Sequence, residues 1–345
     1  MARLGRKIVA AAAVILAASF LLYLLTPGRP DGGLFVVSEG ESIDGIVDRL
    51  VEDGYVRSRT LFRLSLLRSG LATRIQPGEH VLTGVGSYGD IARRLAEVGA
   101  ADREVTLLLR EGETLRELHD SLESLGLNQA AADLYFLTGQ PAAVAGSDSP
   151  AMEQLRGEYP FLSDVPSGRG LEGYLFPDTY RLYSDASTSD VVHRLLDNFG
   201  RRVGPEIEAG AQNEGRTMFE VVTMASVLER EVRGGEDMRL AADLFWRRLD
   251  AGMPLQADST VNYATGGSRP SVSYDDTRID SPFNTYLYRG LPAGPIGNPG
   301  LEALRAAVDP EPNDYWYFLT DASGSVHYAR SLSEHNSNKS RFLNR

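Results

Sequence analysis

One segment in the second half of the chain, residues 218–233, reads MFEVVTMASVLEREVR. Its apolar residues recur at the 3.6-residue period of a helix, in the order Val221, Met224, Ala225, Leu228 and Val232. The segment is therefore predicted to be a helix that buries one apolar stripe in the core of a domain.

Two glutamates near the end of this helix differ in their expected surroundings. Glu229 lies one turn after Ala225 and so at the edge of the stripe, whereas Glu231 points elsewhere and is expected to be solvated. Apolar neighbours disfavour a carboxylate and raise its pKa. A glutamate with a raised pKa is suited to act as a general acid on a glycosidic oxygen. Since most helical glutamates are merely exposed, the helix alone leaves Glu229 open between a catalytic and a solvated role.

Three further stretches carry amides, hydroxyls and aromatic rings with little charge. They are Leu171–Tyr180, Leu255–Tyr263, which is expected to be a loop or short strand, and 281–286 continuing into the Gly/Pro-rich 290–300. Neutral polar groups and ring faces held in rigid turns suit a sugar. The same turns could equally cross over a sheet with their tyrosines packed as core, and spacing alone does not decide.

Composition limits the classes of function. The chain has 345 residues, enough for about two domains, a formal net charge of −12 and no cysteine. Disulfides, thiolate catalysis and Cys-ligated zinc are thereby excluded. The acidic balance, with lysine only at Lys7 and Lys339, argues against a nucleic acid partner. The five histidines show no metal-ligand spacing, so we expect no metal site and no cofactor.

The amino terminus predicts a membrane anchor. Residues 1–7 carry three cations and form the expected cytoplasmic tail, and the uncharged run after them predicts a transmembrane helix over 8–26. A cleaved signal peptide is the alternative, although Ala17-Ala18-Ser19 offers a poor cleavage site. The expected location is the plasma (inner) membrane, single-pass, with everything after Thr26 extracytoplasmic. Removing the three cations from the chain's 35 leaves 32 against 47 acidic residues, a formal charge of −15 outside.

A weak repeat follows the 27–33 linker, which is rich in Gly and Pro. Glu39-Gly40-Glu41-Ser42-Ile43 and Glu111-Gly112-Glu113-Thr114-Leu115 each predict a strand, a glycine turn and a helix capped by Ser or Thr. The first copy resembles the LysM module, a small carbohydrate-binding unit, and predicts a LysM-like domain over 34–103. The second copy is expected to begin a larger domain over 104–345. Within it, the prolines of 139–170 are expected to prevent any helix.

Several segments of the chain together resemble the MltG/YceG family of endolytic murein transglycosylases. They are 171–180, 225–231, 256–263, 281–286 and 290–300, with His335-Asn336 near the end. The resemblance covers nearly the whole chain, and several long motifs occur in the same order. It implies an α+β fold, with a transmembrane helix, a LysM-like module and a larger mixed catalytic domain. It also implies lytic cleavage of the MurNAc-GlcNAc bond in nascent peptidoglycan strands, leaving 1,6-anhydro-MurNAc ends.

The resemblance assigns the catalytic role to Glu229, which would act first as acid and then as base. The residues expected to bind or orient the substrate are Gln256, Asp258, Thr260, Tyr263, Asn284, Tyr286 and Glu172. For Glu172 a structural hydrogen bond at a turn is an equal alternative. Peptidoglycan strands, the membrane and cell-wall synthases are the implied partners. The alternatives are a hydrolytic muramidase, with Asp258 as second carboxylate, and a non-catalytic peptidoglycan-binding or divisome-scaffold protein.

Overall fold

The computed structural model describes residues 23, 26–28, 34–82, 87–96, 104–144, 146, 148–267 and 272–343. These residues fall into two compact units, one up to Val105 and one from Thr106. The sequence-based division between 103 and 104 lies two residues earlier. No helix in the described ranges is long and apolar enough to cross a membrane. The predicted anchor over 8–26 lies outside those ranges except for Tyr23 and Thr26.

The first unit has the order strand, helix, helix, strand, helix. Its elements are β1 (Leu34–Val37), α1 (Ile43–Glu52), α2 (Arg59–Ser69), β2 (Gly78–Val81) and α3 (Tyr88–Ala96). The strands β1 and β2 pair antiparallel, with Leu34 opposite Val81. Inward-facing residues of β1 and of the helices, such as Phe35, Leu50 and Phe62, form one apolar core. The alternating exposure along β1 follows from burial of a single face of the sheet.

The second unit is larger and mostly helical. It begins with β3 (Glu104–Leu109), α4 (Leu115–Ser124), α5 (Asn128–Ala132), α6 (Leu134–Thr138), α7 (Pro150–Glu158) and β4 (Asp178–Tyr183). It continues with α8 (Thr188–Asn213), α9 (Met218–Glu231), α10 (Gly235–Asp250), α11 (Asp258–Thr265), α12 (Leu301–Val308), β5 (Tyr317–Thr320), β6 (Val326–Ala329) and α13 (Leu332–Phe342). Strand β3 bonds to β4, and β5 pairs antiparallel with β6. The fold is thus α+β, as expected, with helices and small two-stranded sheets in the described ranges.

Helix α9 is the predicted helix of 218–233, and it lies at the centre of the second unit. It packs against α10, α11 and α12. Met218 and every residue from Val221 to Leu228 are buried, including Thr223 and Ser226. The helix therefore has no solvated face from Val221 to Leu228, in contrast to the amphipathic helix that the periodicity predicts. Thr217 caps its start in a capping box with Glu220.

The two predicted strand-turn-helix openings are confirmed. Gly40 and Gly112 both have left-handed backbone conformations, with φ of 74° and 77°. The Ser42 hydroxyl accepts a hydrogen bond from the Gly45 N–H, and Thr114 caps α4 through a capping box. These turns explain why similar peptides recur at the start of both units.

Two local expectations were wrong. The stretch 255–263, expected to be a loop or short strand, contains the start of helix α11 at Asp258. In the proline-rich stretch 139–170, Pro150 does not break a helix but begins α7, with Ser149 as the cap. A proline in the first turn lacks only an N–H that the helix would leave unbonded, and its φ already suits a helix.

Candidate active site

A cavity of about 710 Å³ lies in the second unit. The end of α9, helices α10, α11 and α13 and strand β5 contribute to its walls. Its charged lining residues are Arg230, Glu231, Arg248, Asp258 and Lys339. Aromatic rings and amides complete the lining, among them Tyr286, Tyr317 and Gln256. The volume of this cavity lies within the range of ligand sites in proteins.

Glu231, the last residue of α9, reaches this cavity. Its Oε1 accepts hydrogen bonds from the Ser259 hydroxyl at 2.6 Å and from the Ser259 backbone N–H at 3.2 Å. Burial raises the pKa of Glu231 and the nearby Asp258 adds to the increase, while the bonds from Ser259 and the charge of Arg230 oppose it. The expectation of a solvated Glu231 was therefore wrong, because α11 packs beside the end of α9 and encloses the carboxyl group.

Three of the predicted substrate residues line the same cavity as Glu231. The Tyr286 hydroxyl donates to Asp258 Oδ1 at 2.5 Å, and burial together with Asp258 raises the pKa of Tyr286. Tyr286 therefore stays neutral and keeps its proton as a donor. Gln256 has a φ of 54°, a left-handed conformation that costs a residue with a side chain about 1–3 kcal/mol. Such strain at a cavity wall is typical of functional sites.

Glu229, the predicted catalytic residue, does not belong to the cavity lining. Its Oε2 accepts a hydrogen bond at 2.9 Å from the N–H of Gly300, the residue that precedes α12. Its side chain also lies against the turn at Gly112. Burial raises the pKa of Glu229, and the nearby Glu111 and Glu302 carboxylates add to the increase. Glu229 is thus a partly buried acid at the junction of a turn and a helix start.

The other predicted substrate residues have internal partners and do not line the cavity. Glu172 accepts hydrogen bonds from the Leu115 N–H and the Tyr263 hydroxyl, both at 2.8 Å, and burial raises its pKa to about 7. Asn284 donates to two backbone carbonyls and is fully buried. Thr260 donates to the Ala257 carbonyl and is also fully buried. The structure thus places Glu172, Thr260, Tyr263 and Asn284 inside the protein, where their polar groups bond to other parts of the chain.

The Gly/Pro-rich loop 290–300, expected to contact sugar, also lies away from the cavity lining. The Ser226 hydroxyl accepts a hydrogen bond from the Ile296 N–H at 3.0 Å. Asn298, fully buried, accepts from the N–H groups of Gly173 and Leu175 and donates to the Glu113 carbonyl. The loop therefore ties α9 to two distant segments, which explains its polar residues without a ligand.

The sequence prediction did not single out the basic residues of the cavity. Arg248 is almost fully buried, with three hydrogen bonds to the carbonyls of Trp316 and Leu255. Its guanidinium group lies 5.1 Å from the centre of the Tyr317 ring, on which His335 also stacks at 5.4 Å. These residues lie on α10, β5 and α13, so no local spacing reveals their proximity. His335-Asn336 alone stood out, through the resemblance.

One cluster could hold a cation. Ligand atoms of His119, Asp120 and Glu123, at the exposed side of α4, lie within 4.8 Å of one another. The two carboxylates are exposed, and the His119 ring stacks on Tyr135 at 5.2 Å. Exposed acidic groups of this kind are common on helices, so the cluster does not alter the expectation that the site uses no metal.

Comparisons of sequence and structure with known proteins agree on one family, the YceG-like proteins. The YceG-like family model matches residues 35–341. The endolytic murein transglycosylase of Bacillus subtilis is 30% identical over 329 residues, covering 93% of this chain and 88% of that protein. The endolytic murein transglycosylase of Streptococcus pneumoniae D39 is 28% identical over 324 residues, and the match covers 89% of this chain but only 58% of that protein. The crystal structure of a YceG-like protein from Listeria monocytogenes superposes with a TM-score of 0.60 at 26% identity, covering 88% of this chain and 97% of that one.

Proposed function

Because the chain belongs to the YceG-like family, we propose that it is a lytic murein transglycosylase that cuts peptidoglycan strands endolytically, as its curated relatives are named. The observation that carries the proposal is the cavity with Glu231 at its wall. There a carboxyl group of raised pKa has one oxygen held by Ser259, and its Oε2 bonds to no group in the described ranges. Such a group can hold a proton and release it to a substrate.

In the proposed reaction Glu231 acts twice. It first donates its proton to the oxygen that links C1 of MurNAc to GlcNAc, and the C1–O bond breaks as the GlcNAc hydroxyl leaves. The resulting carboxylate then accepts the proton of the MurNAc 6-hydroxyl while O6 bonds to C1. The product is a 1,6-anhydro-MurNAc end, and Glu231 recovers its proton. One carboxyl group therefore suffices, whereas glycosidases that use water generally need two.

Neighbouring side chains would hold the sugar for this reaction. The neutral Tyr286 hydroxyl and the Asp258 carboxylate form one hydrogen-bonded pair at the cavity wall. Gln256 adds an amide at a fixed, strained backbone position. Because Asp258 lines the cavity together with Glu231, a hydrolytic muramidase with Asp258 as second carboxylate is the specific alternative.

Glu229 is the second candidate for the acid, and its raised pKa supports it. The decisive test compares Glu231→Gln with Glu229→Gln in the full chain, using nascent lipid-linked glycan as substrate and mass analysis of the products. Each change removes a carboxyl group from the end of α9, and the glutamine that replaces it has nearly the same shape as the glutamate. We expect Glu231→Gln to reduce the formation of anhydro ends by about 100-fold or more, and Glu229→Gln to retain most of it.

The other outcomes discriminate among the alternatives. Loss of anhydro ends only in a folded Glu229→Gln variant would assign the acid to Glu229. Reducing ends in place of anhydro ends would indicate hydrolysis, and their loss in Asp258→Asn would support the muramidase. Glycan that is bound but left intact by the unaltered chain would refute the enzyme and favour a binding or divisome-scaffold protein. Urea unfolding of each variant distinguishes lost chemistry from lost fold.

The proposed setting is the outer face of the plasma membrane, with residues 8–26 as a single-pass anchor. The 18 uncharged residues from Ile8 to Leu25, after three cations, support it. Extraction of membranes with carbonate would release the protein if a signal peptide had been removed instead. An anchored enzyme would work beside the cell-wall synthases, and cross-linking in cells tests whether it touches them.

The first unit is proposed to be a LysM-like glycan-binding module. Its strand-helix-helix-strand order and the antiparallel pairing of β1 with β2 support this role. Deletion of residues 34–103 should then weaken binding of the chain to peptidoglycan while Glu231 and its surroundings remain. Unchanged binding to peptidoglycan would refute the assignment.

A further inference from the structure

One wall of the cavity carries a buried positive charge that the proposed reaction does not use. Arg248 is 7% exposed, and its three hydrogen bonds go to uncharged backbone carbonyls. No carboxylate of the described residues lies within ion-pair distance of it. Because a guanidinium group has five N–H donors, two remain after these bonds. A buried cation without an ionic partner is costly unless a ligand supplies one.

His335 adds a second incomplete group to the same wall. The residue is 9% exposed, and its buried Nδ1 has no hydrogen-bond partner among the described residues. Its ring stacks on the ring of Tyr317, and the guanidinium group of Arg248 lies 5.1 Å from the centre of that same ring. Native structures rarely leave a buried polar atom unbonded unless a ligand or water completes it.

Lys339 adds a second positive charge to this wall, one turn after His335 on α13. It is one of only two lysines in the chain, and no described carboxylate pairs with it. Lys339 and Arg248 both lower the pKa of His335, in addition to the effect of burial. The cavity lining thus holds three cations, Arg230, Arg248 and Lys339, against two carboxylates, although the whole chain has a net charge of −12.

We propose that this basic wall, defined as Arg248, Tyr317, His335 and Lys339, binds a carboxylate of the muramyl residues in the glycan strand. Arginine and lysine are the usual partners of a carboxylate, and a histidine ring nitrogen can complete its hydrogen bonds. The inference rests on the proposed function, because it names the substrate group that the same cavity recognises. A muramyl residue offers this group in two forms, the carboxylates of its stem peptide or, without a peptide, its lactyl carboxylate.

Three strand preparations distinguish these sources. The first keeps its stem peptides, the second is stripped by an amidase so that the lactyl carboxylates are free, and the third is stripped and then converted to lactyl methylamides. Binding is measured by fluorescence anisotropy of end-labelled strands at fixed salt. The protein is the full chain with Glu231→Gln, so that affinity is measured without turnover and does not depend on the chemistry.

The variants test the wall itself. Lys339→Gln removes the exposed cation, and His335→Phe keeps a ring against Tyr317 but removes the nitrogens. Arg341→Gln is the matched control, because Arg341 also lies in the last turn of α13 but does not line the cavity. It removes the same charge from the same helix end. Any glycan binding by the first unit is common to all of these proteins and does not affect their differences.

We expect the methylamide strands to bind about two- to fivefold more weakly than the strands that carry the recognised carboxylate. Lys339→Gln and His335→Phe should reduce this preference towards one, while Arg341→Gln keeps it. Equal affinity for the three preparations would overturn the proposal. The proposal would also be overturned if Lys339→Gln and His335→Phe both kept the preference for carboxylate-bearing strands. The same holds if the control Arg341→Gln lost this preference as fully as they do. If the unaltered chain formed no anhydro or reducing ends, the proposed function would fail, while the affinities would still decide the carboxylate site.

Discussion

Replacing Glu172 by glutamine should remove one component of the pH dependence of stability in the second unit. Glu172 is buried, and burial raises its pKa from an ordinary 4.5 to about 7. Its two oxygens accept hydrogen bonds from the Leu115 N–H and the Tyr263 hydroxyl. A glutamine can accept the first bond and donate its amide N–H to the Tyr263 oxygen, so the variant keeps the contacts but cannot ionise.

The sign follows from where the proton is bound. Between pH 4.5 and about 7 the folded chain keeps a proton on Glu172 that the unfolded chain has lost. The free energy of unfolding therefore falls as the pH rises through this range. The full effect of the shift is about 3 kcal/mol, of which about 2–3 kcal/mol lies between pH 5 and pH 8. At low pH the burial of this neutral acid has no such penalty.

Urea unfolding of the full chain at pH 5 and pH 8, followed by tryptophan fluorescence, measures this effect. The chain's two tryptophans, Trp246 and Trp316, both belong to the second unit and report its transition. Relative to the unaltered chain, Glu172→Gln should gain about 2–3 kcal/mol between the two pH values. The exposed Glu123→Gln on α4 is the control, and we expect it to change stability by less than about 0.5 kcal/mol. If Glu172→Gln changed the free energy of unfolding by the same amount at pH 5 and pH 8, the raised pKa of the buried Glu172 would be refuted.

Further predictions concern the bonds of Asn298 in the loop 290–300, the close packing of Gly173, and the proposed acid Glu231. Asn298→Ala removes three side-chain hydrogen bonds and leaves their partners unbonded, so we expect a loss of about 3–5 kcal/mol in urea unfolding. Gly173→Ala should cost more than about 2 kcal/mol, since the residue has a φ of 89° and a Cβ there would lie 2.6 Å from Pro295. If Glu231 is the acid, the cleavage rate should fall as the pH rises through its raised pKa. Ser259→Ala should move that limb of the pH–rate profile to higher pH, because the hydroxyl bond lowers the pKa of Glu231; a limb that stays in place would contradict this role.

Local signals in the sequence predicted much of the fold. The period of apolar residues located α9, and the glycine-Ser/Thr pairs located the starts of α1 and α4. Caps and turns are decided by a few adjacent residues, which explains why these predictions were confirmed. Helix α11 was missed because its eight residues include Ser, Thr, Val and Asn, which favour other structures when they stand alone. Packing against α9 decides its conformation.

The candidate site was less predictable, because its residues meet only through tertiary structure. Glu229 and Glu231 are two positions apart on a helix and therefore point about 200° away from each other. The choice between them rested on a solvated face, which α9 lacks from Val221 to Leu228 because neighbouring helices enclose it there. Three of the predicted substrate residues line the cavity: Asp258, Tyr286 and Gln256. The other four do not line it and are buried or bonded inside the protein: Glu172, Thr260, Tyr263 and Asn284.

The net charge of the chain differs in sign from the charge of the basic wall. The chain beyond its first seven residues carries a formal charge of −15, which does not attract an anionic polymer to the surface as a whole. Yet a field inside a cavity depends on the few charges at its wall, because salt screens distant surface charges within about 8–10 Å. Arg248 and Lys339 are such charges, and neither has an ion pair in the described part of the second unit. An acidic surface around a locally basic cavity would discourage adsorption to anionic polymers in general, while a carboxylate that enters the cavity would still be attracted by the basic wall. The affinity of Lys339→Gln for carboxylate-bearing strands should therefore fall more steeply than the loss of one charge from the whole surface would predict, and Arg341→Gln measures that whole-surface loss.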